Sequence, residues 1–524
     1  MITRRKFVAG SGLVLADSVV RRSVAASNAE SLDPSTLPAF VDPLPIPAIA
    51  RPDGRRANPD DPKEQVPYYR IAMREARVKV HRDLAPTRMW TLGGSFPGPT
   101  LETQIAKGMI VEWANELPAR HFLPIDHSLH GAGRDVPEVR GVIHLHGGRT
   151  PPESDGYPED WVVPGKSQTC YYPSSQHAAL LFYHDHTMGI NRLNTYAGMM
   201  GMFVIRDLRE DVYTLPSGKY EIPLLICDRM LKTDGQLEYP VSEKPGEVWV
   251  PEVFGNAILA NGKLLPYCDV EPRLYRVRVM NGSNGRFFRF SLENKAEFYQ
   301  IGSDQGLLVA PVKLKRVTMA PGERADLLID FTAMAGERVT LVSDSFSILQ
   351  FRVGKTTGER GNIPQKLHAF ERLAESSAVK TRRLTLGENM DDVQRSMGML
   401  LNNTPWHAPV TEKAGLNTTE IWELVNLTDD SHPIHLHLVR FQVLDRRRFD
   451  AFHFQEKGDL RFTGPVVLPD PNEMGWKDTV RCDPNMVTRI IVPFNGYAGR
   501  YVWHCHVLEH EDNEMMRPFE VVRE

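Results

Sequence analysis

Three metal-binding side chains stand next to one another near the end of the chain, at His504, Cys505 and His506. Side chains alternate between the two faces of a β-strand. On a strand, His504 and His506 therefore point to one side and Cys505 to the other. One short strand can then serve two metal centres on opposite sides, joined through very few covalent bonds. Such an arrangement suits the transfer of single electrons between the centres.

The loop after Cys505 continues this chemistry in the pattern Cys505-x4-His510-x4-Met515. A thiolate, a thioether and two imidazoles form the His2Cys site with a weak axial Met that is typical of blue-copper electron transfer. His432, in HPIHLH, is the candidate for the second imidazole. A structural zinc site usually needs two closely spaced cysteines, and the sequence has no such pair. Met516 lies next to Met515 and leaves the axial ligand ambiguous.

Four His-x-His pairs recur along the chain, two early and two late, and each projects two imidazoles from one face of a strand. They are His144/His146, His184/His186, His435/His437 and His504/His506. Imidazoles without a carboxylate triad favour copper over magnesium, calcium or non-haem iron, and this many suit a cluster of about three ions. A single pair is more often structural than metal-binding. All four pairs, together with the Cys505 loop, favour a metal function.

Short runs of alternating apolar and polar residues must position these motifs, and alternation of this kind predicts strands with one buried face. The clearest runs are MIVEWANELP (109–118), GMFVIRD (201–207), YRVRVMNGS (275–283), FRFSLEN (288–294) and RADLLIDF (324–331). The 39 glycines and 39 prolines suit a turn-rich β protein, and 524 residues suggest several domains. No histidine occurs from 187 through 367. The sequence therefore predicts an all-β chain of three sandwich domains, with the site where the first meets the third.

The N-terminus, MITRRKFVAGSGLVLADSVVRRSVAAS, has the pattern of a twin-arginine export signal, although a chance basic start is the alternative. Arg4 and Arg5 precede an apolar run from Phe7 to Ala16 that is shorter than the ~20 residues needed to span a bilayer. We therefore predict export to the periplasm or cell exterior by the twin-arginine machinery, without a stable membrane anchor. A net charge of −4 gives no basic excess for nucleic acid.

The chain has five cysteines, an odd number, so at least one has no disulfide partner within the chain. Cys505, between two histidines, is the obvious candidate for this unpaired residue. Pairing among the other four stays open, and they are Cys170, Cys227, Cys268 and Cys482.

Eight motifs between about residue 65 and the C-terminus carry a family resemblance. They are HLHGG, SDGYPE, YHDHTMGINRLNTYAG, EIPLLICDR, ANGKLLPY, HPIHLHL, GWKDT and YVWHCHVLEHEDNEMMRP. Together they resemble the multicopper oxidases, more narrowly the bacterial spore-coat laccase and bilirubin oxidase group. The resemblance implies three cupredoxin-like Greek-key β-sandwiches in series. The predicted segments are a signal peptide (1–27), an extended arm (28–65), domain 1 (66–210), domain 2 without metal (211–355), a linker (356–383) and domain 3 (384–524).

The resemblance also implies ligands for four copper ions. The type 1 ligands are His432, Cys505, His510 and axial Met515. The type 2 ligands are His144 and His435. The type 3 ligands are His146, His184, His186, His437, His504 and His506. An axial Met goes with the lower potentials of the family.

The activity that the resemblance implies is oxidation of a small-molecule reductant by dioxygen. Single electrons enter at the type 1 copper and pass through Cys505 to His504 and His506, and dioxygen is reduced to two waters at the trinuclear cluster. Because this reduction consumes protons, Asp155 and Glu511 are candidate proton relays, as similar acids are in the family. Both could instead be solvated loop charges. One chain holds every ligand, so we expect a monomer.

The substrate is left open by the sequence. Phenols, aromatic amines, bilirubin-like tetrapyrroles, cuprous ion and Mn(II) all suit the group, and the lack of a methionine-rich tract favours an organic reductant. A cuprous-ion or Mn(II) oxidase for copper tolerance is the alternative enzyme. A cupredoxin-fold scaffold protein should lack several copper ligands, and a copper nitrite reductase uses two domains and no type 3 pair. Neither pattern fits this chain.

Overall fold

The computed structural model describes residues 31–243, 248–356, 360–390 and 396–523. The predicted export signal, residues 1–27, and the first residues of the predicted arm lie outside the described residues. Strands dominate the described chain, and its α-helices are short. The all-β prediction is confirmed. None of the described helices has the length and apolar character that crossing a membrane would require.

Two sheets are built from the N-terminal third of the chain. Their strands are β1 Gly54–Ala57, β2 Gln65–Val78, β3 Thr87–Leu92, β4 Leu101–Gln104, β5 Met109–Asn115, β6 Ile143–His146, β7 Ser167–Tyr172, β8 Ala179–Asp185 and β9 Met200–Arg206. One sheet has the order β1-β2-β5-β7 with β3 paired to β2, and the other has the order β4-β9-β8-β6. Antiparallel pairing of β6 with β8 sets His144 opposite His184. The two early histidine motifs therefore lie side by side at one sheet edge.

Two further sheets come from the middle of the chain. Their strands are β10 Glu221–Leu231, β11 Leu237–Glu238, β12 Ala257–Ala260, β13 Lys263–Leu264, β14 Tyr267–Val270, β15 Leu274–Asn281, β16 Phe288–Leu292, β17 Phe298–Ser303, β18 Gly306–Leu314, β19 Val317–Met319, β20 Arg324–Asp330, β21 Arg338–Ser343 and β22 Phe346–Val353. The larger sheet follows β13-β12-β10-β15-β20-β17-β18 with β11 paired to β10, and the smaller follows β14-β22-β21-β16-β19.

The last two sheets carry the late histidine motifs. Their strands are β23 Lys380–Met390, β24 Ser396–Leu401, β25 Glu412–Gly415, β26 Thr418–Asn426, β27 His432–Leu436, β28 Gln442–Phe449, β29 Phe462–Val467, β30 Thr479–Cys482, β31 Met486–Phe494, β32 Gly499–Cys505 and β33 Met516–Val522. Their orders are β24-β23-β26-β31-β28-β29 and β25-β33-β32-β27-β30. Pairing of β27 with β32 sets His435 opposite His504.

Helices are confined to connections between strands. The α-helices are α1 Asn191–Ala197, α2 Ala451–Lys457 and α3 Leu508–Glu511. The 3-10 helices are Pro34–Thr36, Pro152–Ser154, Leu208–Tyr213, Gly218–Tyr220, Glu375–Ser377 and Pro471–Glu473. Helix α1 contacts α3, which connects the N-terminal sheets to the loop that carries His510.

Each pair of sheets encloses a hydrophobic core to which both sheets contribute. In the middle pair, for example, Val279 of β15 and Phe290 of β16 belong to one buried cluster. Comparable clusters fill the first and last pairs. Burial of apolar faces between two sheets is what makes a β-sandwich stable. The predicted domain boundaries stay a prediction, although β23 already begins at Lys380, inside the stretch predicted as a linker.

All five alternating runs named from the sequence contain strands, but four of them are buried on both faces. FRFSL in β16 alternates between buried and more exposed residues as expected. Strands β5, β9, β15 and β20 are buried almost throughout. In β15 and β20, polar positions are occupied by charged residues that form ion pairs, as Arg276 does with Asp326. The expectation of one exposed face was therefore wrong for these four strands. In β15 and β20 the reason is that ion pairing lets charged side chains be buried.

Candidate metal centres

Eight imidazoles meet between the first and last pairs of sheets, and each is at most 1% exposed. They come from the four His-x-His pairs on β6, β8, β27 and β32 and the residues that follow these strands. Potential ligand atoms lie within 4.8 Å of one another in three sets made of imidazoles alone. The sets are His144/His435/His437, His146/His184/His506 and His186/His437/His504. We call this group the histidine cluster.

Short distances inside the histidine cluster show how closely the nitrogen atoms converge. The Nε2 atom of His504 lies 3.3 Å from Nε2 of His186 and 3.3 Å from Nε2 of His437. Two pairs of rings stack with centroids 3.6 Å apart, His144 on His437 and His146 on His435. Each pair joins a ring of an early motif to a ring of a late motif. The early and late motifs therefore form one site.

Hydrogen bonds fix which nitrogen of several rings is free. His435 donates from Nδ1 to the Asp478 carbonyl at 2.8 Å, and His184 donates from Nδ1 to the Asp185 carbonyl at 2.7 Å. His144 donates from Nδ1 to the carbonyl of Asp155. In all three rings the buried Nε2 atom has no hydrogen-bond partner among the described residues. Buried polar atoms rarely stay unsatisfied, and metal ligation by one ring nitrogen with a hydrogen bond from the other is the usual arrangement. These rings therefore fit a bound metal.

Burial also keeps these imidazoles in the form that binds metals. It lowers the pKa of His144, His146 and His437 well below the usual value, and neighbouring imidazoles contribute in the same direction. It lowers the pKa of His184 to about 3. A neutral imidazole has the free lone pair that a metal ion needs.

Two buried carboxylates, both named from the sequence, contact the histidine cluster. The Asp155 Oδ2 atom accepts a hydrogen bond from His437 Nδ1 at 2.7 Å. The Glu511 carboxylate lies 3.1 Å from His504 Nδ1 and 3.4 Å from His186 Nε2. Burial raises the pKa of the Asp155 carboxyl well above its usual value. Neither acid is a solvated loop charge.

A second donor set lies on the opposite face of β32. The Cys505 Sγ atom is 3.5 Å from His432 Nδ1 and 3.7 Å from His510 Nδ1, and the two Nδ1 atoms are 3.2 Å apart. All three side chains are fully buried. His432 donates from Nε2 to the Thr428 hydroxyl at 2.7 Å, which leaves its Nδ1 facing the thiol. We call this group the Cys505 site.

The two adjacent methionines lie in different environments. Met515 belongs to the same hydrophobic cluster as Cys505, and its carbonyl accepts a hydrogen bond from the Cys505 N–H at 3.0 Å. Met516 is paired with His504 across β32 and β33 and packs in a separate cluster with Val502. The thioether of Met515 is therefore the better candidate for the Cys505 site.

Burial raises the pKa of the Cys505 thiol well above its usual value. A thiolate at this position therefore needs a bound cation, because metal binding is what displaces the proton of a buried thiol. Two imidazoles, a thiol and a nearby thioether match the donor set of a blue-copper site. All five cysteines are free thiols in the structure, so the four left open by the sequence form no disulfide.

Comparison with known proteins agrees with these two sites. Two multicopper oxidase family models match, one at residues 138–210 and the other at 377–524, and these ranges contain every histidine of both sites. A laccase of Bacillus subtilis is 45% identical over 515 residues, covering 93% of this chain and 99% of the relative. The chain belongs to the multicopper oxidase family. It is an oxidoreductase of the laccase type, and family membership supports copper as its metal.

Solved multicopper oxidases share the fold over most of their length. The laccase of Pediococcus acidilactici superposes with a TM-score of 0.77 at 28% identity, covering 93% of this chain and 94% of that one. The multicopper oxidase McoA of Aquifex aeolicus gives 0.73 at 27% identity, covering 92% and 99%. The prediction of the family from sequence motifs is therefore confirmed.

Two further residues of this multicopper oxidase contact the histidine cluster without having been named from the sequence. Asp478 Oδ1 accepts a hydrogen bond from His146 Nε2 at 2.9 Å, which leaves His146 Nδ1 buried and without a partner among the described residues. Arg324 of β20 donates to both oxygens of that carboxylate, at 2.7 Å to Oδ1. Burial alone would raise the pKa of Asp478, but the Arg324 guanidinium holds it below the usual range.

The middle sheets therefore support the histidine cluster although they supply no imidazole. Gly322, just before Arg324, has φ +81°, and a Cβ atom there would lie 2.7 Å from a carbon of the His506 ring. Only glycine allows this approach with that backbone conformation. Asp478 lies in GWKDT, a motif that carried the family resemblance but suggested no role. Arg324 lies in a run that indicated only a strand.

Proposed function

We propose that the protein is a laccase-type oxidase that removes single electrons from a small reductant at the Cys505 site and reduces dioxygen to two waters at the histidine cluster. One observation carries this proposal: two buried donor sets lie on opposite faces of β32, and Cys505 of one is covalently adjacent to His504 and His506 of the other. Electrons need to cross only a few bonds between the sites. A carrier or storage protein has no need of that connection.

The donor sets support four copper ions per chain in three types. The type 1 position has His432, Cys505, His510 and Met515, and the type 2 position has His144 and His435. The type 3 positions have His146/His184/His506 and His186/His437/His504. When bound, copper ions supply one-electron steps between the cuprous and cupric states.

The protein itself orients the imidazole rings and keeps bulk water out of both sites. Carbonyl and carboxylate acceptors hold the imidazole rings in one tautomer, so their free nitrogens converge without rearrangement. Every imidazole in the two donor sets is almost completely buried, which excludes bulk water from the reacting centre. Preorganised ligands of this kind reduce the cost of reorganisation at each electron transfer.

Asp155 and Glu511 are the side chains that we propose to move protons. Each contacts an imidazole of the histidine cluster, and each is bonded to a second polar group. The second partner of Glu511 is Asn191, whose Nδ2 donates to Oε1 at 2.8 Å. A carboxyl group fixed in this way can pass protons to oxygen at the centre. Their contacts to the rings also orient His437 and His504, so the two roles must be separated by experiment.

The reductant is proposed to be organic, such as a phenol, an aromatic amine or a bilirubin-like tetrapyrrole. One observation favours the alternative of a metal ion, Cu(I) or Mn(II). Burial raises the pKa of Glu252 to about 8, with further contributions from Asp430, Glu509 and Glu388. Asp430 and Glu509 lie within two residues of His432 and His510 in sequence, so each of these two imidazoles has a carboxyl group beside it along the chain. These carboxyl groups disfavour one another's negative charge, and a cation bound among them would relieve that repulsion.

Export and oligomeric state also belong to the proposal. The sequence at Arg4 and Arg5 supports export through the twin-arginine machinery to the periplasm or beyond. One chain contributes every ligand of both sites, so a monomer suffices for the reaction.

The test is oxygen uptake by the copper-loaded protein with a methoxyphenol, bilirubin, cuprous ion and Mn(II) in turn. Uptake mainly with an organic compound supports the proposal and identifies the reductant class. Uptake mainly with a metal ion supports the alternative. If protein with about four bound coppers consumed no oxygen with any of them, the oxidase proposal would fail.

A further inference from the structure

Outside the two copper sites, a second group of imidazoles and carboxylates lies at the surface. The rings of His130 and His407 are 4.1 Å apart between centroids at an interplanar angle of 61°. The Nδ1 atom of His130 lies 3.7 Å from Glu514 Oε1. Three separate loops supply these residues, before β6, after β24 and before β33. We call His130, His407 and Glu514 the outer histidine site.

Trp406 holds the carboxylates of this surface in place. Its backbone N–H donates to Glu514 Oε2 at 2.7 Å, which leaves Oε1 facing His130. Its indole N–H donates to Glu159 Oε1 at 3.0 Å, which brings a second carboxylate to the same region. Glu514 has φ +77°, a conformation that is unfavourable for a residue with a side chain. Strain of this kind persists where the surroundings hold a residue in place, and functional sites are common among such places.

The two imidazoles are available as ligands. Within the described part of the chain, neither ring makes a hydrogen bond, and His130 contacts both the ring of His407 and the carboxylate of Glu514. Partial burial lowers the pKa of His130 despite the nearby carboxylate of Glu514, so the ring tends to be neutral. The ligand atoms of the three side chains do not all lie within 4.8 Å of one another in the structure, so the exposed His407 side chain must rotate to complete the ligand set.

We propose that His130, His407 and Glu514 form an accessory site for a divalent transition metal of the zinc or copper class, separate from the copper sites of the oxidase. Two imidazoles and a carboxylate form the His2Glu set that zinc accepts with one open position. The same donors suit Cu(II) and Ni(II), whereas magnesium and calcium prefer oxygen ligands alone. Glu159, fixed beside the site, is available as a further ligand.

The accessory site connects to the Cys505 site through the backbone. Glu514 immediately precedes Met515, whose N–H donates to the His510 carbonyl and whose carbonyl accepts from the Cys505 N–H, both at 3.0 Å. A metal ion that restrains Glu514 restrains this loop as well. Binding should therefore shift the blue absorption of the type 1 copper slightly, without removing that copper.

Zinc titration of the full copper-loaded protein tests the proposal, because Zn²⁺ takes no part in electron transfer. Bound zinc is measured by equilibrium dialysis, with copper content and blue absorption measured on the same samples. We expect about one zinc ion per chain in addition to the copper. No zinc bound above the copper complement, or zinc bound only as copper is lost, would overturn the accessory site.

Single substitutions test which side chains bind the zinc ion. His407→Asn, at an exposed position where folding is not at stake, should weaken zinc binding by about tenfold or more, and Glu514→Gln should do the same. The matched control is His453→Asn, because His453 is another surface histidine beside a carboxylate, 3.1 Å from Asp459. This control should leave zinc affinity unchanged. Equal affinity in the wild type and His407→Asn, or a loss in His453→Asn alone, would refute the assignment. None of these outcomes depends on whether the oxidase turns over.

Discussion

The Cys505 site and the histidine cluster use the same strand but are built on different principles. The Cys505 site takes all its donors from the last pair of sheets, and the loop after β32 supplies half of them. The histidine cluster needs strands from the first and last pairs, and Arg324 of the middle pair supports it through Asp478. One site is assembled locally, whereas the other exists only when all three pairs of sheets are in place.

Their polar surroundings differ as well. Asp155, Asp478 and Glu511 contact rings of the histidine cluster, whereas in the Cys505 site His432 donates a hydrogen bond to the hydroxyl of Thr428. Apolar side chains surround Cys505 in the core of the last sandwich. A site that handles only electrons needs few proton carriers, whereas reduction of dioxygen needs protons at the centre. The carboxylates therefore lie at the site where the proposed reaction consumes protons, and not at the site proposed to transfer only electrons.

The largest expected effect comes from breaking the connection between the sites. Cys505→Ser removes the thiolate, so the blue absorption and turnover should both disappear. The histidine cluster should keep its copper, because Cys505 contacts none of its imidazoles within the ligand sets. Copper content and absorption spectra check this. Residual turnover close to that of the wild type would show that electrons reach the histidine cluster by another route.

Glu511→Gln tests whether a carboxylate beside the histidine cluster supplies protons for the reduction of dioxygen. Loss of a positioned proton donor typically slows proton transfer about 100-fold or more, so reoxidation of the reduced enzyme by dioxygen should slow while the blue absorption stays. Stopped-flow reoxidation measures this step directly.

The control for that variant is Glu509→Gln on the same helix. Glu509 is equally buried, but its carboxylate accepts from Tyr239 and Asn284 instead of contacting an imidazole. Burial raises its pKa to about 7, so a neutral amide is a close substitute at neutral pH. Reoxidation at the wild-type rate in Glu511→Gln would contradict the relay, and equal slowing in both variants would indicate a general effect on the helix.

Asp478→Asn tests whether the histidine cluster depends on support from the middle sheets. The amide cannot accept the charge-assisted bonds of Arg324 and His146 in the same way, so copper affinity of the cluster should fall about 10- to 100-fold. The Cys505 site should keep its blue absorption. Competition with a copper chelator, followed by copper analysis, measures the copper affinity of the histidine cluster, while the blue absorption reports on the Cys505 site.

Asp304→Asn is the comparison for Asp478→Asn. Asp304 is buried in the same charged network and accepts from Lys477 at 3.0 Å, but it contacts no imidazole of the cluster. The Asp304→Asn variant should have a lower free energy of unfolding, without a selective loss of copper from the histidine cluster. If Asp478→Asn lost copper equally from both sites, the separate construction of the two sites would be wrong.

The smallest expected effect is at Thr428. Thr428→Val removes the acceptor for His432 Nε2, worth about 1 kcal/mol, which corresponds to a shift of a few tens of mV in a one-electron potential. Redox titration of the blue absorption measures it, and oxygen reduction by the pre-reduced enzyme should be unaffected. A large change in that reaction would mean that the two sites are not separable.

The sequence by itself determined the donor types and the faces on which they lie. The alternation of His504, Cys505 and His506 is a local property of a strand, with a period of two residues, so it can be read without knowledge of the partner strand. The family motifs likewise named every imidazole that the structure brings together, and both Asp155 and Glu511.

Only the tertiary structure decided which imidazoles share a set and what holds them. The grouping of His146 with His184 and His506, and of His186 with His437 and His504, depends on how two sandwiches pack. Asp478 and Arg324 are joined across 154 residues of sequence. A buried ion pair between distant strands leaves no periodic or spaced signal, because each partner alone looks like an ordinary charged residue. The close approach of Gly322 to His506 also depends on packing between sheets, which local sequence patterns do not encode.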